Sequence, residues 1–365
     1  MFIQSLELSD FRNYERLQTS FSEGTNIICG SNAQGKTNIL EALYMAALTK
    51  SYRGQKDRDL IRFGHEEAHI RCGLMKGGID YRIDMHLRRN KAKGLALNGQ
   101  KLRRASELVG ILHIIFFSPD DLRIIKDGPS ERRRFMDMEL CQLDRNYLHD
   151  LGQYNRIVEQ RNRLLKDIAL HGELADTLGI WDEQIVNYGV RIIRRREEFM
   201  RRVGDIVGVI HEKLSGGREH LKISYEPNVT EELFAKNLAF FRSRDIRLRM
   251  TTTGPHRDDF SFVSDGIDLR VFGSQGQQRT CALSLKLSEI ELVKEIIHDN
   301  PVLMLDDVLS ELDSDRQNYL LGSIGGIQTF ITCTGLDEFV KNRFTMDRVF
   351  RIRDGKIDLD NGNHR

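Results

Sequence analysis

One short stretch near the N-terminus decides the fold of this chain: Gly30-Ser31-Asn32-Ala33-Gln34-Gly35-Lys36-Thr37. It matches the pattern Gly-x-x-x-x-Gly-Lys-Ser/Thr, in which a glycine-rich turn follows a strand and opens a helix. The apolar segment 26–29 predicts the strand, and the segment from about Thr37 to Lys50 predicts the helix. We therefore expect a phosphate-binding loop, because the alternative, a glycine-rich turn without a nucleotide, does not account for this context.

The residue types in this loop suit the phosphates of ATP. Glycines let the backbone curl so that successive N–H groups and the helix N-terminus point at the anion. Lys36 is expected to reach the β and γ oxygens and to act in catalysis, and the Thr37 hydroxyl is expected to hold Mg²⁺. The expected nucleotide contacts are Gly30, Ser31, Asn32, Ala33, Gln34, Gly35, Lys36, Thr37 and Asn38.

A second segment, far along the chain, carries paired carboxylates. Residues 302–307 read Val-Leu-Met-Leu-Asp-Asp, an apolar strand that ends in two acids. This places carboxylates at the sheet edge where open α/β folds bind ligands. Asp306 is expected to bind Mg²⁺, directly or through water, and Asp307 to orient or deprotonate the attacking water. Two aspartates after a strand also commonly cap the next turn, but their pairing with the loop favours the catalytic interpretation.

A third segment, Gly-Ser-Gln-Gly-Gln-Gln-Arg at 273–279, precedes a long helix predicted to begin near Gln277. It resembles the LSGGQ signature of ABC ATPases at Ser274, Gly276 and Gln277, and a serine with exposed amides at a helix N-terminus suits phosphate. In that class the signature completes the nucleotide site of the opposite subunit, so the resemblance implies a homodimer around ATP. Residues 310–313, Ser-Glu-Leu-Asp, resemble the D-loop that crosses the same interface. A plain helix-capping turn is the alternative for Ser274.

Five segments extend the resemblance to one family over nearly the whole chain. They are Asp10-Phe11-Arg12-Asn13-Tyr14, Phe117-Ser118-Pro119-Asp120-Asp121-Leu122, Arg132-Arg133-Arg134-Phe135-Met136-Asp137, Thr253-Gly254-Pro255-His256-Arg257-Asp258-Asp259 and the segment 273–279. In sequence and in order they resemble the RecF family, in the SMC/Rad50-like branch of the ABC ATPases. The resemblance implies an ATP-dependent dimer that binds DNA at gaps and single-strand/double-strand junctions and, with RecR and RecO, helps to load RecA. It also implies a weak DNA-dependent ATPase, and Arg12 is expected to contact the nucleotide.

The chain departs from the wider ABC pattern in ways that affect hydrolysis. Residues 332–334 read Thr-Cys-Thr where many relatives place a switch histidine, and no glutamine follows Phe117 where a Q-loop would stand. The candidate base is Asp307 rather than a glutamate. Because fewer groups position the water, we expect slow hydrolysis that times release rather than drives a motor.

DNA contacts have to be inferred from local charge. Lys and Arg total 55 and Asp and Glu total 54, so the whole-chain balance does not favour a polyanionic partner. Arginines concentrate in the predicted helical region, where they suit phosphate contacts. A solvated helix face or a surface for a protein partner remains the alternative. The candidate DNA contacts are Arg132, Arg133, Arg134, Arg194, Arg195 and Arg196.

Cysteine usage and hydropathy bear on the compartment. The five cysteines form no C-x-x-C pair, so they suggest neither a zinc site nor a disulfide framework, and a reducing cytosol fits them. The N-terminus lacks the basic and apolar regions of a secretory signal, and the longest nearly apolar run, 111–117, is too short to cross a bilayer. We expect a cytoplasmic protein that does not enter a membrane.

These patterns predict an α/β fold: an ABC-type ATPase head, with a mixed sheet, helices and an antiparallel β layer, and an inserted helical arm. Alternating stretches between Ala68 and Leu97, separated by glycine turns, predict the antiparallel layer. We expect residues 1–130 to form the first half of the head, 131–220 the arm and 221–365 the second half. The arm is interpreted as an antiparallel helical hairpin, although two amphipathic helices packed on a core remain an alternative.

Three alternatives to the functional hypothesis differ in class. A nucleotide-dependent protein scaffold would make DNA secondary, an ABC transporter subunit would be expected to carry the missing histidine, and a small-molecule kinase would share only the loop. The segment from His256 to Asp258 fits either a buried ion-pair cluster or a phosphate contact.

Overall fold

The computed structural model describes residues 1–168, 171–335 and 347–359. The chain divides into two compact units, one made of Met1–Asp120 with Glu289–Arg365 and the other of Asp121–Ser288. The second unit continues past residue 220, so it includes strands and the signature segment that the sequence assigned to the second half of the head. The division into three domains stays a prediction.

The first unit contains a mixed sheet that brings the two predicted site segments together. Its strands are β3 (Thr25–Cys29), β8 (Ile114–Phe117), β12 (Val302–Asp306), β13 (Thr329–Cys333), β14 (Arg348–Arg353) and β15 (Lys356–Leu359). The order is β15-β14-β3-β13-β12-β8, and all neighbours are parallel except β14 and β15. β8 and β12 are buried throughout, which explains their unbroken apolar runs. The expectation that the loop strand and the acidic strand share a sheet is confirmed.

The same unit contains a six-stranded antiparallel sheet with the order β2-β1-β4-β5-β6-β7. Its strands are β1 (Phe2–Phe11), β2 (Tyr14–Ser20), β4 (Glu67–Lys76), β5 (Ile79–Arg88), β6 (Gly94–Leu97) and β7 (Gln100–Lys101). The predicted antiparallel layer between Ala68 and Leu97 is therefore confirmed, and the sheet also takes in the N-terminal hairpin.

Helix α1 (Lys36–Leu48) packs against both sheets of this unit. It contacts β4 and β5 of the antiparallel sheet and β8, β12 and β13 of the mixed sheet. A helix covered on several sides needs apolar residues around its circumference, as in Ile-Leu-Glu-Ala-Leu-Tyr-Met-Ala-Ala-Leu at 39–48. The remaining α-helix wholly within the described part of this unit is α9 (Ser314–Ser323).

The second unit combines helices with a small antiparallel sheet. Its helices are α2 (Leu122–Lys126), α3 (Pro129–Leu143), α4 (Arg145–Ile168), α5 (Leu178–Leu214), α6 (Phe234–Phe240) and α7 (Arg242–Leu248), and α8 (Gln275–Ile297) begins in it. Its strands, in the order β11-β10-β9, are β9 (Leu221–Glu226), β10 (Asp259–Ser264) and β11 (Ile267–Asp268). Among the described residues, no helix is both long and apolar enough to cross a bilayer.

Helices α4 and α5 pack against each other, and α5 also packs against β9 and α6. The structure thus contains the helix pair that the hairpin interpretation predicts and the core packing that its alternative predicts. Arg161, which interrupts the apolar series of α4, is fully buried and donates to Asp182 and Asp245, at 2.7 Å in each case. A buried guanidinium is tolerated because carboxylates neutralise it, and here they tie α4 to α5 and α7.

A second buried ion cluster surrounds Arg196, which is 2% exposed. Its guanidinium donates to Asp258 at 2.9 Å and to Asp137 at 2.7 Å. The His256 ring lies 2.7 Å from the Tyr154 hydroxyl and 3.0 Å from the carbonyl of residue 251. For His256 and Asp258, the buried cluster is therefore the arrangement that the structure contains.

Burial lowers the pKa of His256 from 6.5 to about 4. The unfolded chain therefore takes up a proton that the folded chain refuses, so this contribution to stability is complete above pH 6.5 and is lost as the pH falls towards 4. We expect the free energy of unfolding to lose up to about 1.4 kcal/mol per pH unit in this window from this residue alone. Chemical denaturation across the window should give a shallower slope for His256→Gln. Substitution of the exposed His171→Gln should not change the slope, and equal slopes in all three proteins would contradict the assignment.

Candidate nucleotide-binding site

The loop between β3 and α1 has the backbone shape of a phosphate cradle. Gly35 has φ +111°, and a Cβ there would lie 2.5 Å from the side-chain nitrogen of Asn13. A Cβ at Gly30 would lie 2.4 Å from the carbonyl oxygen of Ile352. Both positions therefore require glycine, the first for conformation and space and the second for space. Lys36, the first residue of α1, is buried, and its Nζ donates to the carbonyls of Gly30 at 2.7 Å and Ser31 at 3.2 Å.

The predicted metal ligands meet at the edge of the mixed sheet. The Thr37 hydroxyl donates to Oδ1 of Asp306 at 3.0 Å, although 269 positions separate the two residues. Burial raises the pKa of Asp306, while hydrogen bonds from Thr332 and Thr37 oppose that shift. Two oxygen-bearing side chains at this spacing form a donor set that suits a hard divalent cation.

Thr332 is a site residue that the sequence analysis did not select. Its hydroxyl donates to Oδ1 of Asp306 at 2.8 Å and accepts from the backbone N–H of Asp307 at 3.0 Å. The parallel register sets Thr332 opposite Asp306. One hydroxyl therefore orients both the Asp306 carboxylate and the backbone of Asp307. Asp307 itself has φ +53°, which turns its backbone away from the strand direction. The signal available in the sequence was a threonine at the end of a strand, and its meaning depends on which strand lies beside it.

The turn between β1 and β2 supports the phosphate loop. The Asn13 side chain donates to the carbonyl of Gln34 at 2.9 Å and accepts from the Asn38 amide at 2.8 Å. The Tyr14 hydroxyl donates to the carbonyl of Gly35 at 3.0 Å. Asn38, predicted to bind the nucleotide, therefore bonds to Asn13, one of the residues that hold the loop in place. Asn13 and Tyr14 were not selected, although both lie in the first segment of the family resemblance.

Arg12, another predicted nucleotide contact, lies beside this support. Its Nε donates to Glu41 at 2.9 Å and its Nη1 donates to the carbonyl of Asp59 at 3.1 Å. A further hydrogen bond joins it to Gln55. Glu41 is fully buried in α1 and also accepts from Ser51 at 2.6 Å. Arg12 therefore anchors the β1–β2 turn to α1, and a contact with nucleotide stays a prediction.

The signature segment lies in the second unit and begins α8. Ser274 and Gln277 cap the helix reciprocally: the Gln277 N–H donates to the Ser274 hydroxyl at 3.2 Å, and the Ser274 N–H donates to the Gln277 side chain at 2.9 Å. Glu219 accepts from the Gln277 side-chain amide at 3.2 Å. Ser274 and Gly276 are exposed, so this helix N-terminus is open to a ligand. Helix capping by Ser274 and a contact with phosphate, given above as alternatives, are therefore compatible in this geometry.

The D-loop resemblance falls at the turn after β12. Asp313 caps α9 by accepting from the N–H of Arg316 at 3.0 Å. The side chain of Glu311, within the same resemblance, lies outside the described residues.

The six arginines proposed to contact DNA differ in accessibility. Arg132 and Arg196 are buried, and Arg132 donates to Asp259 at 2.5 Å. Arg133 donates to the carbonyl of residue 258 at 2.8 Å, and Arg195 bonds to Asp150 at 2.6 Å. Arg134 and Arg194 are more accessible, with side chains 40% and 69% exposed, and Arg194 bonds to Glu231. Since a phosphate contact needs an accessible guanidinium, only Arg134 and Arg194 are readily available for one.

This fold and site define a nucleotide-binding head of the ABC ATPase class. The family model of the RecF/RecN/SMC N-terminal domain matches residues 2–358. The DNA replication and repair protein RecF of Agathobacter rectalis is 59% identical over 359 residues, which cover 98% of this chain and 99% of that protein. The RecF protein of Clostridium acetobutylicum is 42% identical over 98% of this chain and 99% of its own length. The chain therefore belongs to the RecF family of DNA replication and repair proteins.

Solved structures agree with this assignment. A structure of the recombination mediator protein RecF-ATP in the RecFOR pathway is 36% identical, has a TM-score of 0.92 and covers 98% of this chain and 97% of its own. An Smc head domain derived from Pyrococcus furiosus is 18% identical with a TM-score of 0.57, over 98% of this chain and 95% of its own, and is similar in fold. The predicted ABC-type head fold is confirmed.

The contacts of Thr332 lead to a stability prediction. Thr332→Val keeps the shape of the side chain but removes the hydroxyl that bonds Asp306 and the Asp307 N–H, so the unfolding free energy should fall by about 1–3 kcal/mol. Denaturant unfolding, followed by circular dichroism, measures the change. Thr334→Val, at a neighbouring exposed threonine, is the matched control and should be nearly neutral. Equal stability of the two variants would contradict the role assigned to Thr332.

Proposed function

We propose that this chain is an ATP-gated DNA-binding protein that closes as a homodimer around ATP and acts at gaps and single-strand/double-strand junctions in DNA. The observation that carries the proposal is the pairing of Thr37 with Asp306, which joins the phosphate loop to the acidic strand. Solved relatives of the family described as RecF-ATP support ATP as the ligand.

The residues of the first unit fit ATP with Mg²⁺. The loop and the N-terminus of α1 would present backbone N–H groups to the phosphates, and Lys36 would neutralise charge on the β and γ oxygens. Thr37 and Asp306 would hold Mg²⁺, since the Thr37 hydroxyl oxygen lies 3.0 Å from Oδ1 of the buried Asp306 carboxylate. When bound, Mg²⁺ supplies positive charge to the triphosphate oxygens. Asp307 accepts the proton of the attacking water.

The signature segment is the surface offered to the second subunit. Ser274 and Gly276 are exposed at the start of α8, and the preceding Val271 and Phe272 are 67% and 75% exposed. Exposed apolar side chains beside a helix N-terminus that can bind phosphate suit an interface that is buried only when the dimer closes. If each ATP favours the closed dimer by about 100-fold, two sites give roughly 10⁴-fold, enough to invert a 1:99 equilibrium.

Hydrolysis is proposed to be slow, to depend on DNA and to release the dimer. Residues 332–334, where many ABC ATPases carry a histidine, read Thr-Cys-Thr here. The Thr332 hydroxyl is already bonded to the Asp306 carboxylate and to the backbone N–H of Asp307. With Asp307 as the candidate base and no histidine at 332–334 to position water, the chemical step lacks one source of acceleration.

The dimer model gives a test with two variants. Asp307→Asn should bind ATP, fail to hydrolyse it and accumulate as a dimer on DNA, because opening requires hydrolysis. Ser274→Arg should bind ATP as a monomer but resist dimerisation, since a bulky side chain replaces the exposed phosphate reader. Sedimentation at saturating ATP measures both. A monomeric Asp307→Asn protein, with and without duplex DNA, would refute the scheme, and Lys36→Arg should impair closure by weakening phosphate contact.

The DNA surface is proposed on α6 and α7 rather than on the arginines that the structure buries. Residues 234–250 contain five basic residues and one acidic residue, Asp245, which is buried in the Arg161 cluster. Arg247 and Arg249 are exposed and form no ion pair with any residue of the described ranges 1–168, 171–335 and 347–359. This α6–α7 basic surface is thus a local excess of positive charge on a chain whose total charge nearly cancels.

Aromatic side chains on the α6–α7 basic surface favour unpaired bases. Phe240 is 78% exposed, and the Arg244 guanidinium lies 4.6 Å from the centre of the neighbouring Phe241 ring. Cations that follow a backbone, combined with aromatic faces that stack on bases, are typical of single-strand binding. We propose that this surface contacts the single-stranded part of a junction.

Binding measurements at several salt concentrations test this surface. Arg247→Gln with Arg249→Gln should reduce the slope of log affinity against log salt by about 1.4 on single-stranded DNA, at about 0.7 per phosphate contact. Phe240→Ala should weaken binding by about fivefold or more without changing that slope. The comparison variant combines Arg134→Gln with Arg194→Gln. A slope lowered only in that variant would locate the DNA contacts on the sequence-selected arginines instead.

The remaining partners and the compartment are proposed from the family. RecF relatives are placed in the RecFOR pathway, so we propose that RecR and RecO act with this dimer to load RecA. The described cysteines are free, with no disulfide among them, which fits action in the reducing cytoplasm.

A further inference from the structure

The antiparallel sheet of the first unit carries a second cluster of reactive side chains, outside the nucleotide site. Glu67 and His69 lie on β4, and His86 lies directly opposite His69 on β5. The two imidazole rings stack with centroids 4.1 Å apart and planes 19° apart. Oε2 of Glu67 lies 2.7 Å from Nε2 of His86. One ligand atom from each residue can be chosen so that all three lie within 4.8 Å of one another.

The hairpin turn fixes this arrangement. Gly77 and Gly78 both have positive φ, +57° and +78°, as a two-residue turn of this kind requires. The turn pairs Lys76 with Ile79, and the continuous register then sets His69 against His86. The pair therefore rests on regular strand geometry, which holds ligands more rigidly than a mobile loop does.

Space for an ion lies beside the histidines. A cavity of about 440 Å³ is lined by His69 and His86 and by the small residues Ser9, Gly94 and Ala96. Two carboxylates, Glu7 and Asp84, and two cations, Arg71 and Lys101, also line it, so their charges balance. Gly94 pairs with His86 across the β5–β6 ladder and offers no side chain that could cover the ring. An ion held by the cluster would therefore keep room for water ligands.

We propose that Glu67, His69 and His86 bind one divalent transition-metal ion of the zinc class, with water completing the coordination. Two imidazoles and a carboxylate form a donor set that zinc accepts with an open position, whereas magnesium and calcium prefer oxygen ligands alone. An ion pair between Glu67 and His86 accounts for only part of the cluster. The His69 imidazole makes no hydrogen bond to any residue in the described parts of the chain, although it faces a second imidazole.

A bound ion would join β4 to β5 across one register position. It would bind the folded hairpin and not the separated strands, so it would raise the melting temperature of the protein. This site is distinct from the proposed magnesium position, because neither Thr37 nor Asp306 takes part in it and its ligand atoms include imidazole nitrogens.

Zinc titration of the whole chain tests the proposal. The protein, freed of any affinity tag and of metal by a chelator, is titrated with zinc chloride in a calorimeter in the presence of excess magnesium. We expect one zinc ion per chain. His69→Gln and His86→Gln should each weaken binding at least about tenfold, while His220→Gln, at an exposed histidine of the other unit, should not. Glu67→Gln should weaken binding to a smaller extent.

Cobalt(II) in place of zinc gives a second readout, because its ligand-field absorption in the visible range becomes much stronger when protein ligands hold the ion in a four- or five-coordinate site than in water. The absorption should appear with the unaltered chain and with His220→Gln, and should vanish with His69→Gln. Melting curves without metal show whether each variant is folded. The absence of saturable zinc binding would overturn the proposal. If His69→Gln and His86→Gln bind zinc as tightly as the unaltered chain, the proposal is overturned as well, since the ion would then lie elsewhere.

Discussion

The buried carboxylate of Asp306 is the constraint on which the rest of the first unit depends. A carboxylate removed from water needs hydrogen bonds or a cation, and here it accepts from Thr37 at the start of α1 and from Thr332 at the end of β13. These three residues are far apart in the chain, so their meeting requires β13 to lie between β3 and β12. The residues that form the site therefore also require this order of strands.

The helical unit follows the same rule with opposite sign, because its buried cations are neutralised by carboxylates. Arg161 and Arg196 each meet two aspartates from other parts of the unit. An arginine count along the sequence therefore overstates the positive charge that a ligand meets. The positive charge that a ligand meets depends on exposure and on whether a carboxylate lies opposite the arginine. On both counts the exposed Arg247 and Arg249, with no ion pair to the described residues, differ from most of those selected in α3 and α5.

The sequence predicted the elements well and the contacts less well, for a physical reason. The phosphate loop, the acidic strand and the antiparallel layer were predictable because each is encoded within a few neighbouring residues. The ion pair between Arg196 and Asp258 was not predictable, since 62 positions separate the two residues. The role of Thr332 required knowledge of strand order. By contrast, the pairing of His69 with His86 follows from a two-residue glycine turn and the strand register, so it was open to derivation from the sequence.

The antiparallel sheet has a further role, because its first hairpin shapes the phosphate loop. The β1–β2 turn supplies Asn13 and Tyr14, whose side chains donate to the carbonyls of Gln34 and Gly35 and so hold the phosphate loop from outside. Arg12, in the same turn, is held by Glu41 inside α1. A change in the loop on phosphate binding would therefore strain a turn fixed to α1, and α1 packs on both sheets. The hydrogen bonds of the β1–β2 turn and the packing of α1 therefore connect the phosphate loop to both sheets of the first unit.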